Sequence, residues 1–315
     1  MTDMHCHILP CVDDGAGSVE EACSMAWKAW ENGTKRIIAT PHFCRPDQRR
    51  RRSVQEYRRY VYLLQQGLRE LGCGLELRAG MEVFATAELP KLLDRQEVLT
   101  LADSRYLLVE FYFDERGDYM DDALRLVADR GYVPVVAHPE RYHEIQRNPA
   151  LAASWFRRGC ILQLNKGTIL GRMGAASKQT AWWLLERGLA HVVASDAHSV
   201  EHRNPDLSQV QELIGQDLSW QYAEILLEEN PRRDSAITDI CPLVGNASIP
   251  ARNYQSNENV RLMAQQLGAS PHFLYLPALP DSLEEKRLLC STEVYHQIQR
   301  QWDQIDTALV NIGNY

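Results

Sequence analysis

The sequence predicts an α/β fold: a closed or distorted β/α barrel of parallel strands, followed by a smaller α/β segment. Three observations predict it. The first two hundred or so residues alternate short β-rich runs with amphipathic helical runs, and repeated strand–helix units place helices outside a parallel sheet. About seven such units suit a barrel better than an open sheet. The chain has 315 residues, enough for about two domains at roughly 150 residues each, and its composition shifts near residue 234.

A first strand is expected near Asp3–His7. Ser18-Val-Glu-Glu21 reads as a capping box, opening a helix whose buried face is Ala22, Met25, Ala26, Ala29 and Trp30. A strand follows at Arg36–Thr40. Val54, Tyr57, Val61, Leu64, Leu68 and Leu71 recur at helical spacing until Gly72 stops the helix. Further strands are predicted at Leu75–Ala79, Tyr106–Phe111, Val133–Ala137, Ile161–Leu164 and His191–Ala194. Glu228–Asp234 closes a helix, so a boundary at 234–239 divides the chain into residues 1–234 and 239–315. The tail reads as strand 240–244, helix 255–267, strand 272–276, a helix pair over 282–303 and strand 307–312.

Composition narrows the function classes. Hydrophobic residues make up 45% and charged residues 24%, the balance of a soluble globular chain rather than a disordered one. No run approaches the roughly 18 apolar residues of a membrane span. Met1-Thr2-Asp3-Met4-His5 has neither the basic start nor the apolar centre of a signal peptide, so a cytoplasmic location is expected. The net charge of −8 is spread along the chain, which argues against a nucleic-acid partner. The run Arg49–Arg52 reads as a solvated loop or helix start, with a patch for an anionic partner as the other reading. Eight cysteines without a C-x-x-C pair read as reduced thiols, not a zinc ribbon or a disulfide scaffold.

The chemistry lies in where histidine, aspartate and glutamate fall. His5 and His7 are two apart, so on a strand they share a face. His42, Glu82, Glu110 and His138 each follow or close a predicted strand, as do Asp196 and His198. Separate strands thus offer imidazole or carboxylate at their C-terminal ends, the end where β/α barrels build active sites. Imidazole and carboxylate without thiolates at ligand spacing suit Mn, Fe or Zn. With Asp14 there are nine potential ligands, more than one ion needs, so a site of two or three metals is expected.

These residues sit in recognisable motifs. Asp3-Met-His5-Cys-His7-Ile-Leu-Pro with Asp13-Asp14-Gly15, Thr40-Pro-His42, Gly80-Met-Glu82, Leu108-Val-Glu110-Phe, Ala137-His-Pro-Glu-Arg141 and Ala194-Ser-Asp-Ala-His198 resemble the PHP (polymerase and histidinol phosphatase) superfamily. Within it they resemble the bacterial capsule-associated protein-tyrosine phosphatases of the CpsB/YwqE type. Gly167–Gly171 and Glu229–Arg233 continue the likeness, which spans residues 1–234. The resemblance implies a distorted (β/α)7 PHP barrel with three divalent metals, commonly Mn2+, with Fe or Zn as alternatives. It implies that His5 and His7 hold a first metal with Glu82 and Asp196. Glu82 would bridge to a second, held also by Glu110 and His138, and Asp14, His42 and His198 would hold the third. Arg141 and Arg203 match the family's phosphate-binding arginines. The implied partner is a phosphotyrosine protein, a bacterial tyrosine kinase of capsule or exopolysaccharide synthesis. Homo-oligomerisation is a further expectation from the resemblance alone.

The implied chemistry is attack of metal-bound hydroxide on phosphorus, with Arg141 and Arg203 taking up charge on the equatorial oxygens. Asp3 is expected to orient a histidine from behind the ligands, and Asp13 either to do the same or to cap a helix. His143, His191 and His202 are expected in surface or packing roles. A cysteine-dependent mechanism needs Cys-x5-Arg in a phosphate-cradling loop. Cys44 and Arg50 have that spacing, but Arg45-Pro-Asp-Gln-Arg49 lacks the glycines that let amides approach phosphate.

Residues 239–315 resemble part of the sugar-binding domain of SorC/DeoR-type regulators, through Cys241–Gly245, Ser256–Val260, Leu262–Gly268, Leu276–Leu279 and Asp306–Gly313. A partial Rossmann-like α/β segment is expected there. Two alternatives stand beside the tyrosine phosphatase reading: a small-molecule phosphatase of the histidinol phosphatase kind, and a sugar-responsive regulator with a vestigial metal site.

Overall fold

The structure, a computed structural model, describes residues 1–46, 51–227, 239–242, 260, 270–272 and 282–303. The chain divides into two compact units, Met1–Asn230 and Pro231–Tyr315.

The first unit is a run of parallel strands with helices between them. In chain order the strands are β1 (Thr2–Cys6), β2 (Arg36–Ala39), β3 (His42–Phe43), β4 (Glu76–Ala79), β5 (Glu82–Phe84), β6 (Tyr106–Glu110), β7 (Val133–Ala137), β8 (Ile161–Asn165) and β9 (Val192–Ala194). Each predicted strand is present, with ends shifted by a residue or so. Pairing gives the orders β1-β2-β4 and β3-β5-β6-β7-β8-β9, parallel throughout. β2 and β3 are two parts of one extended run interrupted at Thr40-Pro41, where proline lacks the N–H a ladder needs. β4 and β5 break beside them, keeping register from Ala39–Ala79 to His42–Glu82. Beyond β9, Ala197 forms a parallel bridge with Cys6. His7 N donates to Ala197 O at 2.9 Å and Asp196 N to His5 O at 2.8 Å, so the last strand's end meets the first.

β6, β7 and β9 are covered on both faces, which is why they read as nearly continuous apolar runs. On β6, Leu107 and Val109 join the large core between sheet and helices, while Leu108 joins a small cluster with Ile38, Leu101, Val135 and Ala137. This alternation sets where the chemistry goes. Glu110 lies two residues beyond Leu108 and so shares its face at the strand's C-terminal end.

The helices follow their amphipathic stripes. α1 (Val19–Glu31) buries Ala22, Met25, Ala26 and Ala29, and α2 (Val54–Glu70) buries Tyr57, Val61, Leu64 and Leu68. Each fully buried large apolar side chain contributes about 1.5–3 kcal/mol. Val54 is half-buried, and two expected stripe members are exposed. Trp30 is 37% exposed, its ring edge-on to Trp27, and Leu71 is 58% exposed because it is the C-cap of α2, past the last packed turn. The cap at Ser18 is also simpler than expected: its hydroxyl accepts from Glu21 N, but the Glu21 carboxylate accepts from Gly17 N instead of closing a box. The complete capping box is at Ser53 and Glu56.

In the second unit, Asp239–Ile240 pairs in parallel with Ser270–Pro271. The expected helix pair is present as Leu283–Cys290 and Glu293–Trp302, capped by the Ser282 and Thr292 hydroxyls. The predicted strand 240–244 is shorter, since Cys241 and Pro242 have left the ladder, and His272 lies outside any strand. The rest of 272–276, the strand 307–312, the helix 255–267 apart from Val260, and the boundary at 234–239 up to residue 238 fall outside the described residues. No helix among the described residues is long and apolar enough to cross a membrane.

Candidate metal centre

The strand ends and following loops of the first unit bring all nine expected ligands together. His5 lies on β1 and His7 just past it, both fully buried with Glu82. Asp14, His42, Glu110, His138, Asp196 and His198 line a cavity of about 330 Å3, and so do Arg141 and Arg203. Potential ligand atoms of His5, His7 and Asp196 lie within 4.8 Å of one another. The same holds for His7, Asp14, His42 and His198, and for His42, Glu82 and Glu110. His138 reaches the cluster through Nε2, 3.1 Å from Glu82 Oε1 and 3.9 Å from Glu110 Oε1.

The backbone is bent to achieve this. His138 and Asp196 adopt left-handed φ of 33° and 48°, which non-glycine residues rarely do. At His138 the turn leads into the short 3-10 helix Pro139–Arg141, with Arg141 N donating to His138 O at 3.0 Å. The loop carrying Asp13 and Asp14 folds back onto His7, with Ala16 N donating to His7 O at 3.1 Å. Gly15 permits that approach: a Cβ there would lie 2.0 Å from His7 O. Arg52 braces the loop by donating to Val12 O at 2.8 Å and Cys11 O at 3.0 Å. Arg51 pairs with Glu88 and Glu97, whereas Arg49 and Arg50 lie outside the described residues. The Cys44–Arg50 spacing therefore gains no support from the described part.

Hydrogen bonds fix which imidazole nitrogens face the cluster. His7 Nδ1 lies 2.7 Å from Asp13 Oδ2, and a carboxylate only accepts, so Nδ1 carries the proton. His5 Nδ1 donates in the same way to Gln163 Oε1 at 2.9 Å, and His198 Nδ1 to the Asp196 carbonyl at 3.0 Å. In the neutral rings the Nε2 atoms of His5 and His7 are then lone pairs facing each other at 3.2 Å. Glu110 Oε2 and His198 Nε2 are buried without hydrogen-bond partners. Facing lone pairs and orphaned acceptors beside several carboxylates are a donor set that calls for cations. The residues therefore fit divalent metal ions, with donors of the imidazole and carboxylate type.

The electrostatics agree. Burial opposes protonation of His5, but the Glu82 and Asp196 carboxylates outweigh it and raise its pKa to about 9. Burial would raise the Glu82 pKa, yet His5, His42 and His138 hold it well below the usual carboxylate range. Asp14 is likewise held low, by the His198 and His42 rings beside it. Burial, helped by His7, lowers His198 to about 4. Protons on some imidazoles thus balance the carboxylates, a role that bound cations take over.

Asp196 joins this cluster to the arginines. Its Oδ1 lies 3.5 Å from His7 Nε2 and 3.6 Å from His5 Nε2. Its Oδ2 receives Arg203 Nη2 at 2.6 Å, with Arg141 Nη1 at 3.7 Å. The carboxylate of Glu140, next to Arg141 in the chain, accepts from Asn165 N at 2.9 Å. Two guanidinium groups thus converge at the cavity beside the cluster, an arrangement suited to an oxyanion such as phosphate.

The expectation for Asp3 changes, and of the two readings of Asp13 the structure shows the orienting one. Asp3 does not touch an imidazole. Its carboxylate accepts from Ser195 Oγ at 2.5 Å, Ser195 N at 3.0 Å and His5 N at 3.4 Å, tying β1 to the segment after β9. Asp13 orients His7 and also accepts from His42 N at 2.8 Å and Gly15 N at 3.0 Å.

Sequence reasoning missed the contribution of β8. Gln163 orients His5, and Asn165 Nδ2 donates to Asp196 Oδ2 at 2.5 Å. Lys166 follows them, almost fully buried, with Nζ donating to Asn204 O, Asn204 Oδ1 and Asp206 O, the last two at 3.0 Å. It thereby holds the loop that carries Arg203. Arg45, also missed, lines the cavity and donates to His42 Nε2 at 2.9 Å. The available signal was polarity at buried strand positions: Gln163 and Asn165 alternate with Leu162 and Leu164.

Comparison with known proteins adds independent findings. The CpsB/CapC model, described as capsular polysaccharide synthesis, matches residues 1–234, and a sugar-binding domain model matches residues 225–315. Tyrosine-protein phosphatase YwqE of Bacillus subtilis (strain 168) is 36% identical over 204 residues, covering 65% of this chain and 80% of YwqE. Tyrosine-protein phosphatase CpsB of Streptococcus pneumoniae is 30% identical over 243 residues, covering 74% of this chain and 97% of CpsB. A solved structure from work on YwqE and CpsB, described as unique metal-dependent tyrosine phosphatases, aligns with a TM-score of 0.68 at 33% identity. That alignment covers 72% of this chain and 91% of the solved one.

Proposed function

The chain belongs to the CpsB/CapC family of capsular polysaccharide synthesis, and from that premise we propose that it is a metal-dependent tyrosine-protein phosphatase. The phosphatase is assigned to residues 1–234 and the sugar-binding-like segment to 239–315. A single observation carries the reading: Arg141 and Arg203 converge on Asp196 Oδ2 while Asp196 Oδ1 faces the imidazole cluster. A phosphate monoester held by the two guanidinium groups would sit against the cation-seeking donor set. Manganese as the metal, a cytoplasmic location and a tyrosine kinase of polysaccharide export as the substrate are parts of the same proposal.

His5, His7, Asp14, His42, Glu82, Glu110, His138, Asp196 and His198 would hold the ions. Bound divalent metals supply an oxygen nucleophile by lowering the pKa of water toward neutrality, and polarise the phosphoryl oxygens. Arg141 and Arg203 bind the dianion and orient it, their forked donors matching charge that grows on the equatorial oxygens. Asp13 and Gln163 hold the His7 and His5 rings with Nε2 facing inward. Lys166 keeps the Arg203 loop in place. The leaving tyrosinate has a conjugate acid of pKa about 10, so expelling it needs only modest help.

The test is phosphate release from a phosphotyrosine peptide by metal-stripped protein, before and after manganese is returned. Activity that appears only with metal supports the proposal and excludes a cysteine mechanism. Folded protein that stays inactive in both conditions overturns it.

A further inference from the structure

Beside the arginines the cavity wall changes character. Phe84, Tyr112 and Phe113 line it together with Arg141. Phe84 ends β5, two residues past Glu82, and Tyr112 and Phe113 lie two and three residues past Glu110. The strands that place two carboxylates in the cluster therefore place these rings at its mouth.

The wall is firmly built. Phe84 is 4% exposed and meets Tyr112 edge-on, with ring centroids 4.7 Å apart. The next residue, Ala85, donates its N–H to Glu110 O at 2.9 Å and accepts from Tyr119 Oη at 3.0 Å. The Arg141 guanidinium lies over the Phe113 ring, 4.2 Å from its centroid. Tyr112 and Phe113 are nonetheless 48% and 38% exposed. Large aromatic side chains left open beside a polar cavity mark a surface that a ligand covers.

We propose that Tyr112, Phe113 and Phe84 form a slot that holds the aromatic ring of an aryl phosphate monoester, so that the protein selects aryl over alkyl phosphates. The inference rests on the phosphatase reading and deepens it. In an aryl phosphate the ester oxygen is bonded directly to the ring, so a phosphate seated at Arg141 and Arg203 carries its ring to the neighbouring wall. An edge-to-face or offset partner is the geometry aromatic pairs favour. A serine or threonine ester offers only a short aliphatic link and would leave Tyr112 and Phe113 in water. Charge and shape are then read by adjoining parts of one cavity.

The test compares phenylphosphonate and methylphosphonate binding to metal-loaded protein by calorimetry, with phosphotyrosine-peptide hydrolysis alongside. Two variants are used, Tyr112→Ala, which removes a half-exposed ring, and Phe113→Leu, which keeps apolar bulk against Arg141. The wild type should prefer phenylphosphonate, and each variant should lose about three- to tenfold of that preference, the range expected for one aromatic pair. The kcat/KM on phosphotyrosine peptide should fall by a similar factor. A phenyl-to-methyl ratio unchanged in both variants overturns the slot, as does an equal loss for both phosphonates, which would mean the rings act only through Arg141. A wild type that prefers phenylphosphonate, responds to the variants and yet hydrolyses no phosphotyrosine peptide supports the slot while refuting the substrate reading.

Discussion

Replacing Asp13 by asparagine changes one atom type in the side chain and should weaken metal binding at a distance. Asp13 is not among the expected ligands. Its Oδ2 accepts from His7 Nδ1 at 2.7 Å and His42 N at 2.8 Å, and its Oδ1 from Gly15 N at 3.0 Å. Burial would raise its pKa, but His7 and His42 hold it below the usual carboxylate value, so the wild-type group is an anion at neutral pH. An asparagine oxygen can keep the bonds to His7 and His42 only by turning its NH2 toward the Gly15 N–H. The reverse orientation faces two donors with the NH2 and is worse. One orphaned donor and the loss of charge from two hydrogen bonds together cost about 2–4 kcal/mol of stability. The His7 ring keeps an acceptor at Nδ1 but loses its anionic partner, and metal affinity should fall about 10–100-fold, or about 1.4–2.7 kcal/mol. The assay is manganese titration of metal-stripped protein against a competing chelator, with thermal melting to verify folding. Folded Asp13→Asn protein that binds metal as tightly as the wild type would refute the orienting role.

Three further perturbations test other parts of the site and its frame. Lys166→Met leaves the acceptors of Asn204 and Asp206 without their ammonium donor, so stability should drop by about 1–3 kcal/mol. Amides of residues 199–207 should exchange with solvent faster than the rest of the unit, and unchanged protection there would contradict the tether. Arg203→Lys keeps the charge but loses the fork, so kcat/KM on phosphotyrosine peptide should fall by about tenfold or more; wild-type kinetics would remove Arg203 from phosphate binding. His191, packed on Phe156 with ring centroids 4.6 Å apart, has its pKa lowered to about 4 by burial. The unfolded chain takes up that proton near pH 6.5, so the contribution is complete above 6.5 and is lost as pH falls toward 4. Its ceiling is about 3 kcal/mol, and partial exposure brings the expected loss nearer 2 kcal/mol. Denaturant melts of His191→Gln should show a flatter pH dependence over that window, and an identical slope would refute the assignment.

The parts of this protein legible in its sequence are those governed by local periodicity. Apolar runs of strand length, stripes at helical spacing and the stop at Gly72 follow from backbone geometry, and the strands of the first unit appear within a residue or so of their predicted places. Most of the candidate ligands were placed at one end for the same reason: a strand's alternation carries Ile38 to His42 and Leu108 to Glu110 on one face, so their arrival there needs no knowledge of packing. Element ends were less legible, as Trp30 and Leu71 show, because a stripe does not say where its partner surface stops.

Only the tertiary structure decided the support of the site. Nothing local separates Asp13 from Asp14, yet the loop folded over Gly15 turns one carboxylate to the back of His7 and the other to the cavity. Gln163, Asn165 and Lys166 look like ordinary polar residues, and their partners His5, Asp196 and Asn204 lie far away in the chain. Asp3 sits in a motif with His5 and His7 but spends its hydrogen bonds on Ser195, across the meeting of first and last strands. Ligand types declare themselves because metal chemistry admits few side chains. The residues that aim them are chosen by neighbours in space, and any group that donates or accepts at the right place can serve.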